Sequence, residues 1–191
     1  LLRWADTNTQ PYKGITDEEE IRKAFAEKFG VSWEDFMLLD LPDSPNGQAD
    51  GLYTADKYLL YNDPFMGLMD STLDGTEGAS YALCAEKLSK VPMDHPWAYL
   101  FETQKALSEV LAIKANLGTR TRSAYHAKDH AALKAVIAEY DAIEEKLAVF
   151  YEAYKKQWYH DNKGYGFEVQ DARIGGLKQR IRHCKEMLIA Y

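Results

Sequence analysis

The chain has 191 residues, of which 46% are apolar and 28% charged, and its net charge is −7. These values fit one globular domain with a modest extension and exclude a disordered tail, a collagen-like repeat and a disulfide-dense miniprotein. The acidic balance repels phosphate backbones and no apolar run reaches the roughly 18 residues of a membrane span, so neither nucleic acid nor a membrane is an expected partner. Cys84 and Cys184 are the two cysteines, too few for a disulfide framework. Leu1 to Asp6 has neither the basic start nor the apolar stretch of a signal peptide, and the first methionine is Met37. The start therefore reads as the tail of a preceding element.

Helical signals come first. Thr16 and Glu19 have capping-box spacing, and the acidic run Asp17 to Glu20 suits the positive end of a helix dipole. That predicts a helix carrying Ile21, Phe25 and Phe29 and stopped by Gly30. Ser32 to Asp35 repeats the cap pattern for a short helix with Trp33, Phe36 and Met37. Leu41 to Gly47 is a loop by composition. Tyr53 to Met69 is aromatic and apolar, and Asn62-Asp63-Pro64 divides it into two expected short helices. After the polar stretch Asp70 to Gly78, the residues Tyr81, Cys84, Leu88 and Val91 mark one helical face.

Three longer helices are expected next. The first opens at His95-Pro96, with Pro96 at its first position, runs through Leu100, Leu107 and Leu111, and stops at Gly118. The second, from near Asp129 to about Tyr159, carries Leu133, Val136, Tyr140, Ile143, Leu147, Phe150, Tyr154 and Trp158 in steps of three and four. The third carries Ile174, Leu177, Ile181, Cys184, Leu188 and Tyr191, after a turn at Asn162 to Gly166. The expected fold is all-α: an antiparallel bundle of three long helices preceded by several short helices.

No catalytic constellation stands out. His126 and His130 have a spacing that can bind metal, but the glutamate of a zincin is missing and Asp129 suits an N-cap, which would put the two on different elements; surface histidines are the expectation and no metal is assigned. Cys84 and Cys184 lie on apolar seams as core residues. Asp17-Glu18 belongs to a helix first turn, and the other carboxylates are expected to stay ionised. Gly164-Tyr165-Gly166 lacks the preceding strand of a phosphate loop. Gly175-Gly176 sits inside a helical seam, which implies close approach of a backbone or ring. The abundant aromatic residues hint at carbohydrate, with core and interdomain packing favoured.

Several stretches resemble the C-terminal helical region of bacterial β-N-acetylhexosaminidases of glycoside hydrolase family 20. They are Gly30 to Phe36 with Leu39 to Pro42, Lys57 to Pro64, Leu68 to Asp70, Leu111 to Ala115 with Leu117-Gly118, and Tyr154 to Trp158. The densest is Asn162 to Leu177, followed by Arg180. In such enzymes the substrate's own acetamido oxygen attacks the anomeric carbon, assisted by an Asp-Glu pair in a barrel upstream. The resemblance therefore implies no catalytic residue and no cofactor in this chain, and an inactive fragment of a glycoside hydrolase.

It further implies that residues 1–15 are the remnant of the last barrel helix and a linker. Residues 16–191 would be the accessory domain, with short helices over 16–91 and the bundle over 95–191. The expected partners are the catalytic barrel of the same chain and a second copy in a homodimer, with glycan met only through the parent enzyme. The cytoplasm is the favoured compartment. Structural or docking candidates are Trp4, Trp33, Tyr58, Tyr61, Phe65, Trp158, Asp171, Arg173, Gly175 and Gly176. The five from Trp4 to Phe65 are expected to form one exposed aromatic patch. Asp171 and Arg173 are expected to order the Asn162–Gly166 turn. The alternative is an autonomous helical module that binds a protein or sugar.

Overall fold

The structure, a computed structural model, describes residues 17–45 and 55–191. Among them the regular elements are all helical: α1 (Glu18–Phe29), α2 (Trp33–Met37), α3 (Ala55–Tyr61), α4 (Glu77–Ser89), α5 (Ala98–Lys114), α6 (Leu117–His126), α7 (His130–Asp161) and α8 (Phe167–Ala190). Tight 3-10 turns at Leu38–Asp43 and Asp70–Thr72 complete them. None of the helices described is long and apolar enough to cross a membrane.

Local chemistry sets several ends. Asp17 caps α1 by accepting from the Glu19 N–H at 2.9 Å, so the cap lies one residue beyond the expected Thr16, which is outside the described residues. Gly30 ends α1 with φ of 71°. Ser32 caps α2 at the Asp35 N–H, and Asp129 caps α7 at the Ala132 N–H.

Three boundaries differ from expectation. Pro96 sits in the turn before α5, where the Ala98 N–H bonds the His95 carbonyl and delays the helix to Ala98. Gly118 does not stop a helix: α5 ends at Lys114, and Gly118 lies inside α6 against Pro64. The segment after Tyr61 is a chain of turns rather than a second short helix, because Asp63 bonds the Phe65 and Met66 N–H groups, each at 2.9 Å, ahead of any helical turn.

Side-chain pairs give the helix directions. Between α7 and α8, Tyr151 meets Asp171 at 2.7 Å and Glu144 meets Arg182 at 2.9 Å. Between α5 and α7, Asp161 meets Tyr99 at 2.7 Å, Lys156 meets Glu102 at 2.7 Å and Lys146 meets Glu109 at 3.1 Å. Rising numbers meet falling ones, so each pair runs antiparallel. The packing reaches beyond the three long helices, however: α5 lies between α4 and α7, while α6 and α8 also pack on α7.

The seams supply the core. Leu133, Val136, Tyr140, Ile143, Leu147 and Phe150 of α7 are buried with Ile174, Leu177, Ile181, Cys184 and Leu188 of α8. Leu107 and Leu111 join them from α5, whereas Leu100 is half-buried in a second cluster with Phe25, Val31, Leu88, Val91 and Phe101. That second cluster fastens α1 and α2 to the α4–α5 corner.

Two glycines mark close backbone approaches. A Cβ on Gly78 would lie 2.8 Å from the Ala112 carbonyl oxygen, and one on Gly118 would lie 3.0 Å from that of Pro64. Gly175 and Gly176 were expected in this role, but both are exposed and no atom stands within 4 Å of a Cβ built on either. The seam residues beside them, Ile174 and Leu177, take the buried positions, which leaves the glycines on the outer arc of α8.

Candidate functional site

The turn segment from Tyr61 to Asp70 is where the fold builds a feature on its surface. Lys114, 3% exposed, sends its Nζ to the carbonyls of Leu59 at 3.0 Å and Asn62 at 2.7 Å. Burial pulls the ammonium pKa down to about 8, against the opposing pull of Asp63. Asp63 receives the Arg180 guanidinium at 2.6 and 3.1 Å, from a residue 117 positions away. That pairing and the two turn N–H groups hold the Asp63 pKa at about 2, against burial. Arg122 bonds the Pro64 carbonyl and pairs with Asp70, and Asn62 links the Met69 N–H to Asp70. At the tip Gly67 has φ of 61° and sits hard against Arg122 and Asp70, so a side chain has neither the backbone angle nor the room.

These polar clamps point apolar groups outward. Met66 is 68% exposed and Leu68 74%, with Met69 and Tyr61 also exposed. Beside them lies a hollow of about 480 Å³ that includes Lys57, Tyr58, Tyr61, Leu68, Met69 and Arg173 in its lining. A second hollow, of about 410 Å³, lies between α6 and the end of α8, with Phe65, Arg122, Tyr125, Met187 and Tyr191 around it.

The expected single aromatic patch is not formed. Trp4 lies outside the described residues. Trp33 is half-buried in the second cluster, edge-on to Phe25 at 5.3 Å. Tyr58 and Tyr61 share the first hollow, while Phe65 lies beneath the Arg180 guanidinium at 5.5 Å and faces the second. The loop clamps separate these rings, which a linear reading of the sequence groups together.

The α7–α8 turn is ordered by other groups than Asp171 and Arg173. The Trp158 indole donates to the Lys163 carbonyl at 3.2 Å, and Glu168 accepts from the Gly166 N–H at 2.7 Å. Phe167, 2% exposed, plugs the corner against Tyr151, Tyr154, Trp158 and Tyr159. Asp171 instead accepts from Tyr151, tying α8 to α7, and Arg173 is exposed in the lining of the first hollow with Tyr58 and Tyr61.

One carboxyl departs from the expectation that all are ionised. Asp56 is partly buried, hydrogen-bonds the Asp43 carboxyl, and has its pKa pushed up to about 7 by burial and by that neighbour. The pair lies outside the lining of both hollows. His126 ends α6 and His130 opens α7, and among the described residues no cluster of three or more His, Cys, Asp or Glu could hold a metal ion.

Sequence reasoning missed Lys114, Gly78 and Glu77. Glu77 is buried and accepts from Asp74 and Gly75 N–H groups and from Asn116, whose own oxygen receives the Gly78 N–H. The available signal was a polar Gly-bearing stretch running directly into a helix, and its partner Asn116 lies 39 residues on.

No curated protein matches the chain. The sequence does match the Glycoside Hydrolase 20C C-terminal domain over residues 34–191, a span that runs from α2 through the clamped loop to the end of α8. The chain belongs to the glycoside hydrolase 20C C-terminal domain family.

Proposed function

We propose that this chain is a non-catalytic accessory domain of a β-N-acetylhexosaminidase, packed on the enzyme's catalytic barrel. The observation that carries the reading is the match to a glycoside hydrolase C-terminal domain over residues 34–191. The parent enzyme would remove terminal N-acetylhexosamine residues from glycans, and a second subunit can share the packing. The site chemistry agrees with a supporting role. Hydrolysis of this kind needs an acid at the leaving oxygen and a second carboxylate at the developing cation, within one water-shielded cleft. In the first hollow Asp63 is the acidic residue, and its two oxygens are taken up by Arg180 and the turn backbone. A carboxylate held at a pKa of about 2 does not donate a proton near neutral pH.

The test is turnover of nitrophenyl N-acetylglucosaminide. The full-length chain is expected to hydrolyse it and the purified 191-residue chain is not. Turnover by the 191-residue chain that is lost in Asp56→Asn or Asp63→Asn would overturn the accessory reading.

A further inference from the structure

We propose that the clamped loop and Arg173 form the docking face for the catalytic region, and that this face receives a carboxylate flanked by apolar side chains. The proposal rests on the accessory-domain reading and names the surface that reading requires.

Arg173 carries the charge argument. Among the described residues Arg22, Arg120, Arg122, Arg180 and Arg182 each have a carboxylate partner. Arg173 has none, although the chain carries an excess of acids. It lines the first hollow with Lys57, Tyr58 and Tyr61. An unpaired guanidinium in the wall of a hollow is well arranged to take a carboxylate through two parallel hydrogen bonds.

The rim says what surrounds that carboxylate. Leu68, Met69 and Tyr61 line the hollow and are exposed, and Met66 is exposed on the same loop. Met, Tyr and Arg are the residues enriched in protein interfaces, and the two polar residues of the floor, Asn62 and Asp63, are already engaged by Asp70, the Met69 N–H, Arg180 and the turn backbone. The loop is already fixed by Lys114, Arg122, Arg180 and Asp70, so little conformational entropy is lost when a partner lands on it. Arg173, Gly176 and Arg180 follow each other along one face of α8, and the space at Gly176 is open, which lets a partner backbone lie close to the helix.

Charge also chooses the occupant. A second copy docked across a twofold axis through this hollow would bring Arg173 and Lys57 against their own counterparts. A head-to-tail contact between copies closes only into a ring of fitting rotation and otherwise grows into a filament. A catalytic region on the same chain arrives tethered, at high effective concentration, and a surface of modest size then suffices.

All five methionines, Met37, Met66, Met69, Met93 and Met187, are exposed, which supplies a set of internal probes. Peroxide oxidation, read residue by residue by mass spectrometry, is compared between the full-length enzyme and the 191-residue chain. Met66 and Met69 are expected to oxidise at least about fivefold more slowly in the full-length enzyme, with Met37 and Met93 unchanged. Arg173→Glu and, independently, Leu68→Asp should restore their oxidation, while Arg173→Lys, which keeps the charge and loses the two parallel bonds, should fall between. Both altered side chains are exposed, and an unchanged helical circular dichroism spectrum checks the fold.

Protection at Met187 in place of Met66 and Met69 would overturn this face and leave the accessory reading intact. Protection that survives Arg173→Glu would overturn the carboxylate contact. Protection that grows with concentration in the 191-residue chain would make a second copy the occupant and overturn the proposal. Equal oxidation at all five sites, with the two regions melting independently, would overturn the packing itself.

Discussion

Asp56 shows how one side chain acquires a property that its neighbours in sequence do not announce. Burial and the Asp43 carboxyl raise its pKa to about 7, whereas an unfolded chain would release that proton near 4. The folded state therefore binds the extra proton between those two values. The stability linked to it is fully present below pH 4 and is lost as pH rises through about 7. Asp56→Asn keeps a neutral donor beside Asp43 and removes the titration. After allowance for solvent screening, it should stabilise the chain by about 1–3 kcal/mol at pH 8 and change little at pH 4. Urea denaturation at the two pH values measures this, and an equal effect at both would show that the proton is not held. Asp63 acts in the opposite sense: its lowered pKa gives stability that is present above about 4 and lost as pH falls through about 2.

At the scale of elements, the glycines separate close packing from open surface. Gly175 and Gly176 lie within α8 with nothing near a Cβ, so an added methyl group meets no obstacle and lowers the entropy of the unfolded chain. Each change to Ala should stabilise the isolated chain by about 0.5–1 kcal/mol. Gly78 should behave in the reverse way, because its Cβ would press on the Ala112 carbonyl in the next helix. Gly78→Ala should destabilise by about 1–3 kcal/mol despite its better helix propensity. Thermal melts of the three variants provide the comparison; a lower midpoint for Gly176→Ala would mean that α8 is approached there after all. The paired α7–α8 and α5–α7 contacts explain why α8 tolerates the two glycines: its inner seam and the Tyr151–Asp171 bond secure it on α7.

Among the described residues, two apolar clusters and a set of polar anchors that joins distant segments to one loop organise the fold. Cys84 and Cys184 belong inside this frame. Both are buried, and burial raises the thiol pKa, to about 11 for Cys184. A thiolate is the reactive form, so both should resist a disulfide reagent in the native chain at pH 8 and react together once the chain unfolds. Timed labelling with the reagent checks this, and a fast native phase would place one thiol outside the core. Because Cys184 lies one turn beyond Arg180 on α8, its exposure would also report release of that loop anchor.

The sequence by itself determined the helices with regular seams. Leu133 to Phe150 and Ile174 to Leu188 recur every three or four residues, and that period places them on one side of a helix whatever packs against it. It also determined the caps at Ser32 and Asp129, since a short polar side chain bonds the backbone N–H groups a few residues away. The all-α class and the family resemblance were legible for the same reason: both reside in local pattern and order. Only the tertiary structure decided what Tyr61 to Asp70 becomes. Its anchors Lys114, Arg122 and Arg180 are distant in sequence, and no local period encodes a buried ammonium or a bidentate pair across 117 residues. It likewise decided which glycines are crowded, because helix–helix distance depends on how separate elements dock. The exposure of Met66 and Leu68 belongs with these: apolar residues in a row read as core until polar clamps, drawn from three other helices, turn them outward.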